Sequence, residues 1–134
     1  MNKLPARVTS IEGEQNLHII SFEAEEGYCL KMMGLDLPKG LHVNTKVTLG
    51  IKPFHVAIAK NLSGELSYSN QLAATIVGIE NGALLTSLIL HVKGFEMQSF
   101  ITCASSKRMN LQVGDAVVLL IKASELFVLE VHDA

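Results

Sequence analysis

The chain has 134 residues, 49% of them hydrophobic and 18% charged, with 11 Lys and Arg against 13 Asp and Glu for a formal charge of −2. Apolar content this high excludes intrinsic disorder, no apolar run reaches the ~20 residues that span a bilayer, and the near-neutral balance leaves no basic footprint for a nucleic-acid backbone. The start, Met1 to Pro5, has no apolar segment followed by a small-residue cleavage site, so the cytoplasm is the expected compartment. Cys29 and Cys103 lie far apart, outside any CxxC pair, and read as free thiols.

In chain order, a first strand runs from the start to a turn at Gly13-Glu14-Gln15-Asn16. An alternating segment from Leu17 to Ala24 follows, with a second turn at Glu25-Glu26-Gly27. The pattern then repeats. Asn2 to Glu12 lines up with Asn70 to Glu80, and Leu41 to Lys52 with Leu111 to Lys122, at offsets of 68 and 70. We read a tandem duplication, residues 1–62 and 67–134, joined near Asn61-Leu62-Ser63-Gly64-Glu65, whose Asn/Ser/Gly composition suits a linker.

In the second repeat the predicted elements are a strand Leu72 to Glu80, a hairpin turn at Asn81-Gly82, where both residues tolerate positive φ, and a strand Leu84 to Val92. After a turn at Lys93-Gly94 come a strand Phe95 to Cys103, a helical turn Ala104 to Met109, and strands Ala116 to Lys122 and Leu126 to Val131, joined at Ala123-Ser124-Glu125. Five short strands in ~65 residues with one helical insert predict an all-β fold of two tandem OB-like five-stranded barrels, each with one short helical turn. A unit of ~65 residues buries too little surface to be stable alone. Val117 to Ile121 is apolar on both faces, so both need covering, by the other repeat or by another chain.

No residue pattern points to covalent catalysis. The five histidines, His18, His42, His55, His91 and His132, lack metal-ligand spacing and read as solvated or edge residues. There is no Gly-rich phosphate cradle. Ser105-Ser106-Lys107 has the residue types of a Ser–Lys pair without further support. The few aromatics fall in strand patterns, which argues against base stacking on an OB-like face. What remains is hydroxylic and amide residues at strand ends: Ser67 to Asn70, Thr102 to Ser106, and Lys122 to Ser124. Convergent N–H and O–H donors with one ammonium suit a tetrahedral dianion, whereas the same residues taken singly suit turns.

The second repeat resembles the Mop domain, the molybdate/tungstate-binding module of the wider TOBE group, over nearly all of Ser67 to Val131. The matching elements are Ser67-Tyr68-Ser69-Asn70-Gln71-Leu72, Ile76-Val77-Gly78-Ile79, Ile101-Thr102-Cys103-Ala104-Ser105, Leu111 to Val117, and Ile121-Lys122-Ala123-Ser124. The family form of the first element carries Ala and Arg where this chain has Tyr68 and Ser69. The resemblance implies an OB-like barrel that binds molybdate or tungstate at contacts between barrels, with no organic cofactor and no directly ligated metal. It further implies a cytoplasmic homo-oligomer, a trimer or a dimer, that stores or delivers the anion rather than an enzyme. The implied anion-site positions are Ser67, Ser69, Asn70, Thr102, Ser105, Lys122, Ala123 and Ser124, with Lys52 in the first repeat. That repeat follows Lys52 with Pro53-Phe54 and resembles the TOBE domains appended to transporter ATPases. The alternative is therefore a TOBE-type interaction module of a transporter or regulator that no longer binds anion.

Overall fold

In the computed structural model, which describes residues 1–132, each repeat opens on a long strand, β1 (Asn2–Glu14) and, in the second, β6 (Asn70–Asn81). Buried and exposed residues alternate along the first half of both. This period-2 pattern sets Leu4, Ala6 and Val8, and their counterparts Leu72, Ala74 and Ile76, on the core face. Both strands bulge just beyond, between Val8 and Ser10 and between Ile76 and Gly78. The first repeat continues with β2 (Leu17–Ala24), β3 (Cys29–Gly34), β4 (Lys46–Ile51), a 3-10 turn at Pro53–His55 and the short β5 (Ala57–Ala59). The second continues with β7 (Leu85–Val92), β8 (Phe95–Thr102), α1 (Cys103–Arg108), β9 (Ala116–Ile121), a 3-10 turn at Ala123–Glu125 and β10 (Phe127–His132).

The strands form two five-stranded antiparallel sheets, ordered β10-β4-β1-β2-β3 and β5-β9-β6-β7-β8. Each repeat thus keeps four strands and sends its fifth to the other. β10 pairs with β4 through Phe127 opposite Gly50, and β5 pairs with β9 through Ala57 opposite Leu120. These are equivalent pairs of the duplication, and their sizes are complementary. A Cβ on Gly50 would lie 2.6 Å from the Phe127 ring, so the ring occupies the space a side chain would take. Buried residues of both repeats, among them Ile20, Phe22, Leu49, Leu88, Leu90 and Leu119, form one continuous core. β9 runs between β5 and β6, so the first repeat supplies a neighbour for the strand that is apolar on both faces.

The halves are also stapled reciprocally. The Asn70 side chain accepts from the Lys31 N–H at 2.7 Å and donates to the Lys31 carbonyl at 2.9 Å. Asn2 does the same to Gln98, with both bonds at 2.8 Å. Tyr28 meets Phe95 edge-on at 5.8 Å between centroids, and His55 Nδ1 lies 2.8 Å from Glu125 Oε2 between the two 3-10 turns.

Two local expectations change. Neither Asn81 nor Gly82 takes positive φ. Asn81 stays in the ladder opposite Thr86, its side chain accepts the Thr86 hydroxyl at 2.7 Å, and the chain turns through Gly82 to Leu84, with Gly82 N–H donating to the Leu85 carbonyl. The other change concerns helices. α1 has no counterpart between β3 and β4, where the first repeat is two residues shorter and passes through turns; its helical turn is the one at Pro53–His55.

Candidate oxyanion site

At the end of β9 the chain leaves Ile121 in extended conformation at Lys122, with φ −66° and ψ 143°. It then tightens into the Ala123–Glu125 turn, closed by Glu125 N–H donating to the Lys122 carbonyl at 2.9 Å. This turn packs against β3 of the other repeat. The segment before β6 arrives alongside, held by the Gln71 side chain donating to the Tyr68 carbonyl at 2.9 Å.

Between them lies a cavity of about 560 Å³ lined by Ser67, Ser69, Lys122, Ala123 and Ser124 from one side and by Glu12, Ile19, Lys31 and Met33 from the other. Glu12, Ile19 and Met33 stand opposite one another across β1, β2 and β3, so they share a face. Lys31 is two residues from Met33 and points the same way. Formal charges in the lining are two ammonium groups against one carboxylate.

Five of the nine residues expected at an anion site therefore meet in one cavity. The other four do not line it. Asn70 is buried beside it, with its amide group bonded to the Lys31 backbone. Thr102 caps α1 and Ser105 lies in its first turn: Thr102 Oγ1 accepts from the Ser105 N–H at 3.1 Å and donates to Ser105 Oγ at 2.9 Å. Lys52 precedes the Pro53–His55 turn, which packs on β8.

That last contact is the duplicate of the cavity's own contact, and it is built differently. The staples make Gln98 the counterpart of Lys31, which sets Phe100 where the cavity has Met33, and the duplication sets Phe54 where it has Ser124. Phe54 lies edge-on against Phe100 at 5.0 Å, and the Gln98 side chain donates to Ser87 Oγ at 3.0 Å.

Sequence reasoning missed the four residues of the first repeat, because nothing near Glu12, Ile19, Lys31 or Met33 marks them as more than strand residues. The available signal was the pair Asn2 and Asn70. Among the described residues no three or more His, Cys, Asp or Glu converge to hold a metal ion, and Cys29 and Cys103 are both free. No helix among them is long and apolar enough to cross a membrane. Four of the five histidines are exposed; His18 is half-buried, with Nδ1 buried and unpartnered. Away from the cavity, the Gln112 N–H and Lys60, whose Nζ is 3.1 Å from Oδ2, hold the Asp115 carboxyl below its ordinary pKa.

Fold and cavity together define a tandem, strand-exchanged β protein of the OB-like class. Residues 66–128 match the family model of the TOBE domain. A probable molybdenum-pterin-binding protein of Haemophilus influenzae is 34% identical over 67 residues, which is 48% of this chain and 94% of that protein. The chain belongs to the Mop/TOBE family. Among solved structures, the cytoplasmic molybdate-binding protein ModG, with molybdate bound, has the same two-repeat fold. It matches with a TM-score of 0.90 over 95% of this chain and 94% of that one, at 23% identity. A molybdate-binding protein from Sporomusa ovata is 34% identical over 50% of this chain and all of its own, with a TM-score of 0.48.

Proposed function

We propose that the chain is a molybdate- or tungstate-binding protein that stores or delivers the oxyanion in the cytoplasm, without catalysing a reaction. The observation that carries this reading is the convergence of Ser67, Ser69, Lys122, Ala123 and Ser124 on one cavity between the repeats. Hydroxyl and backbone donors with ammonium groups bind a tetrahedral dianion reversibly. Discrimination against sulfate rests on size, because molybdate and tungstate have longer bonds to oxygen at the same charge and shape. The relative named for molybdenum-pterin binding supports the same ligand class.

Calorimetric titration tests it. Molybdate and tungstate give saturable heats at micromolar to millimolar concentration and sulfate binds more weakly; absence of heat with the first two overturns the reading. Lys122→Ala and Ser124→Ala each weaken binding, the first by about tenfold or more as expected for a charge-assisted hydrogen bond, while the circular dichroism of the native fold persists.

We also propose a homo-oligomer, a trimer or a dimer, supported by large apolar side chains left in the open, Leu35, Phe54, Leu84 and Val113 among them. Light scattering that gives the mass of a single chain at all concentrations refutes this. A second reading, an interaction module without anion, draws on the aromatic pair at the duplicate position and on Phe54, which is 66% exposed. A stable partner in pull-down together with no molybdate heat selects it.

A further inference from the structure

We infer that Lys31, from the first repeat, is the second cationic ligand of the oxyanion, so that each chain builds one complete site from both repeats and keeps the duplicate position closed. The inference rests on the oxyanion reading above. A dianion held by Lys122 alone keeps one charge unmatched, and Lys31 is the other cation lining the cavity. Its backbone is fixed on both sides by Asn70, at 2.7 Å and 2.9 Å, the residue that begins β6 immediately after Ser69. The cation of one repeat is thereby set in register with the donors of the other.

The duplicate position provides an internal comparison. Where the chain carries Lys122-Ala123-Ser124, the residue under the staple is Lys31. Where it carries Lys52-Pro53-Phe54, the residue under the staple is the neutral Gln98, which is turned to Ser87, and Phe54 and Phe100 meet face to edge. A second cation and a small residue occur together at the cavity, and at the duplicate position Gln98 and Phe54 replace both.

Glu12 sharpens the assignment. Glu12 lines the same cavity and its negative charge repels a dianion, so the lining residues carry a net charge of one positive unit rather than two. Glu12 thus sets an upper bound on affinity that Lys31 counteracts.

Titrate the full chain with sodium molybdate by calorimetry at low and high salt. Include Lys31→Ala, Lys31→Arg, Glu12→Gln and, as a control for overall charge, Lys93→Ala in the β7–β8 turn. The expected result is one molybdate per chain, about tenfold weaker binding for Lys31→Ala with a reduced salt dependence, and recovery in Lys31→Arg. Tighter binding in Glu12→Gln and no change in Lys93→Ala complete the expected pattern, with thermal midpoints of the unliganded variants within a few degrees of wild type. Wild-type affinity in Lys31→Ala, or two molybdates per chain, overturns the inference while the oxyanion reading stands. No molybdate binding by the wild type overturns both. Equal losses in Lys31→Ala and Lys93→Ala overturn the inference by reducing it to long-range charge.

Discussion

Asn70 and Asn2 hold equivalent places in the duplication and make equivalent bonds, yet only Asn70 fixes a residue of the cavity. Replacing either by Ala leaves the N–H and carbonyl of a β-edge residue in the other sheet without partners. Each change is expected to cost about 1–3 kcal/mol of stability, read as a lower urea midpoint. Their effects on molybdate binding diverge: Asn70→Ala frees Lys31 and weakens binding several-fold, whereas Asn2→Ala frees Gln98 and leaves affinity unchanged. Equal binding losses in the two would show that the staple acts only through global stability. Asp115 is a second residue with a defined task. Its carboxylate accepts from the Gln112 N–H and pairs with Lys60, which also donates to the Met109 and Asn110 carbonyls at the end of α1. Because the folded-state pKa is depressed, the stabilisation is present above the unfolded-state value and is lost as pH falls through the folded-state value, in the acid range below about 4. Asp115→Asn is therefore expected to melt below wild type at pH 6, with the gap closing as the pH is lowered toward 2. A gap independent of pH would assign the effect to the turn rather than to the charge.

Among elements, the exchanged strands are the least legible in the sequence, and the reason is physical. The apolar residues Phe127, Val128, Leu129 and Val131 specify a strand, but hydrogen bonds to β4 or to β9 satisfy its backbone equally well. By contrast β1, β2, β6, β7 and the turns at Gly27 and Gly94, both with positive φ, follow from local pattern alone. The Lys122-Ala123-Ser124 half of the cavity was legible because its residues are contiguous. The Glu12, Lys31 and Met33 half was not, since it is created by packing between repeats. What does encode the exchange is size. Phe127 seats its ring over Gly50, whereas its own repeat offers Leu120 at that place, and Leu120 faces the small Ala57 instead. Gly50→Ala drives a methyl group into the ring and is expected to cost about 1–3 kcal/mol. Phe127→Leu in the same chain is expected to recover part of that loss, so the two changes are non-additive in a double-mutant cycle. Simple additivity would mean that the ring yields freely and encodes nothing.

For the whole molecule the same size code decides which halves associate. Divided between Ser63 and Gly64, the chain yields one fragment carrying β1 to β5 and another carrying β6 to β10, each with four strands that pair among themselves and a fifth that pairs elsewhere. Two copies of the first fragment can exchange strands only by setting Ala57 opposite Gly50, which leaves the place of the ring empty. Two copies of the second set Phe127 opposite Leu120, which crowds two large side chains into it. Only the mixed pair gives Phe127 on Gly50 and Leu120 on Ala57, and only the mixed pair brings Ser67, Ser69, Lys122 and Ser124 together with Lys31 and Glu12. The fragments are therefore expected to form a one-to-one complex on mixing, seen as a single heterodimeric mass by native mass spectrometry. That complex should unfold at higher temperature than either fragment alone and bind molybdate where neither fragment does. Homodimers that survive mixing at equal concentration would show that the complementary pairs do not select the partner. Molybdate bound by the second fragment alone would show that the first repeat contributes nothing to the site.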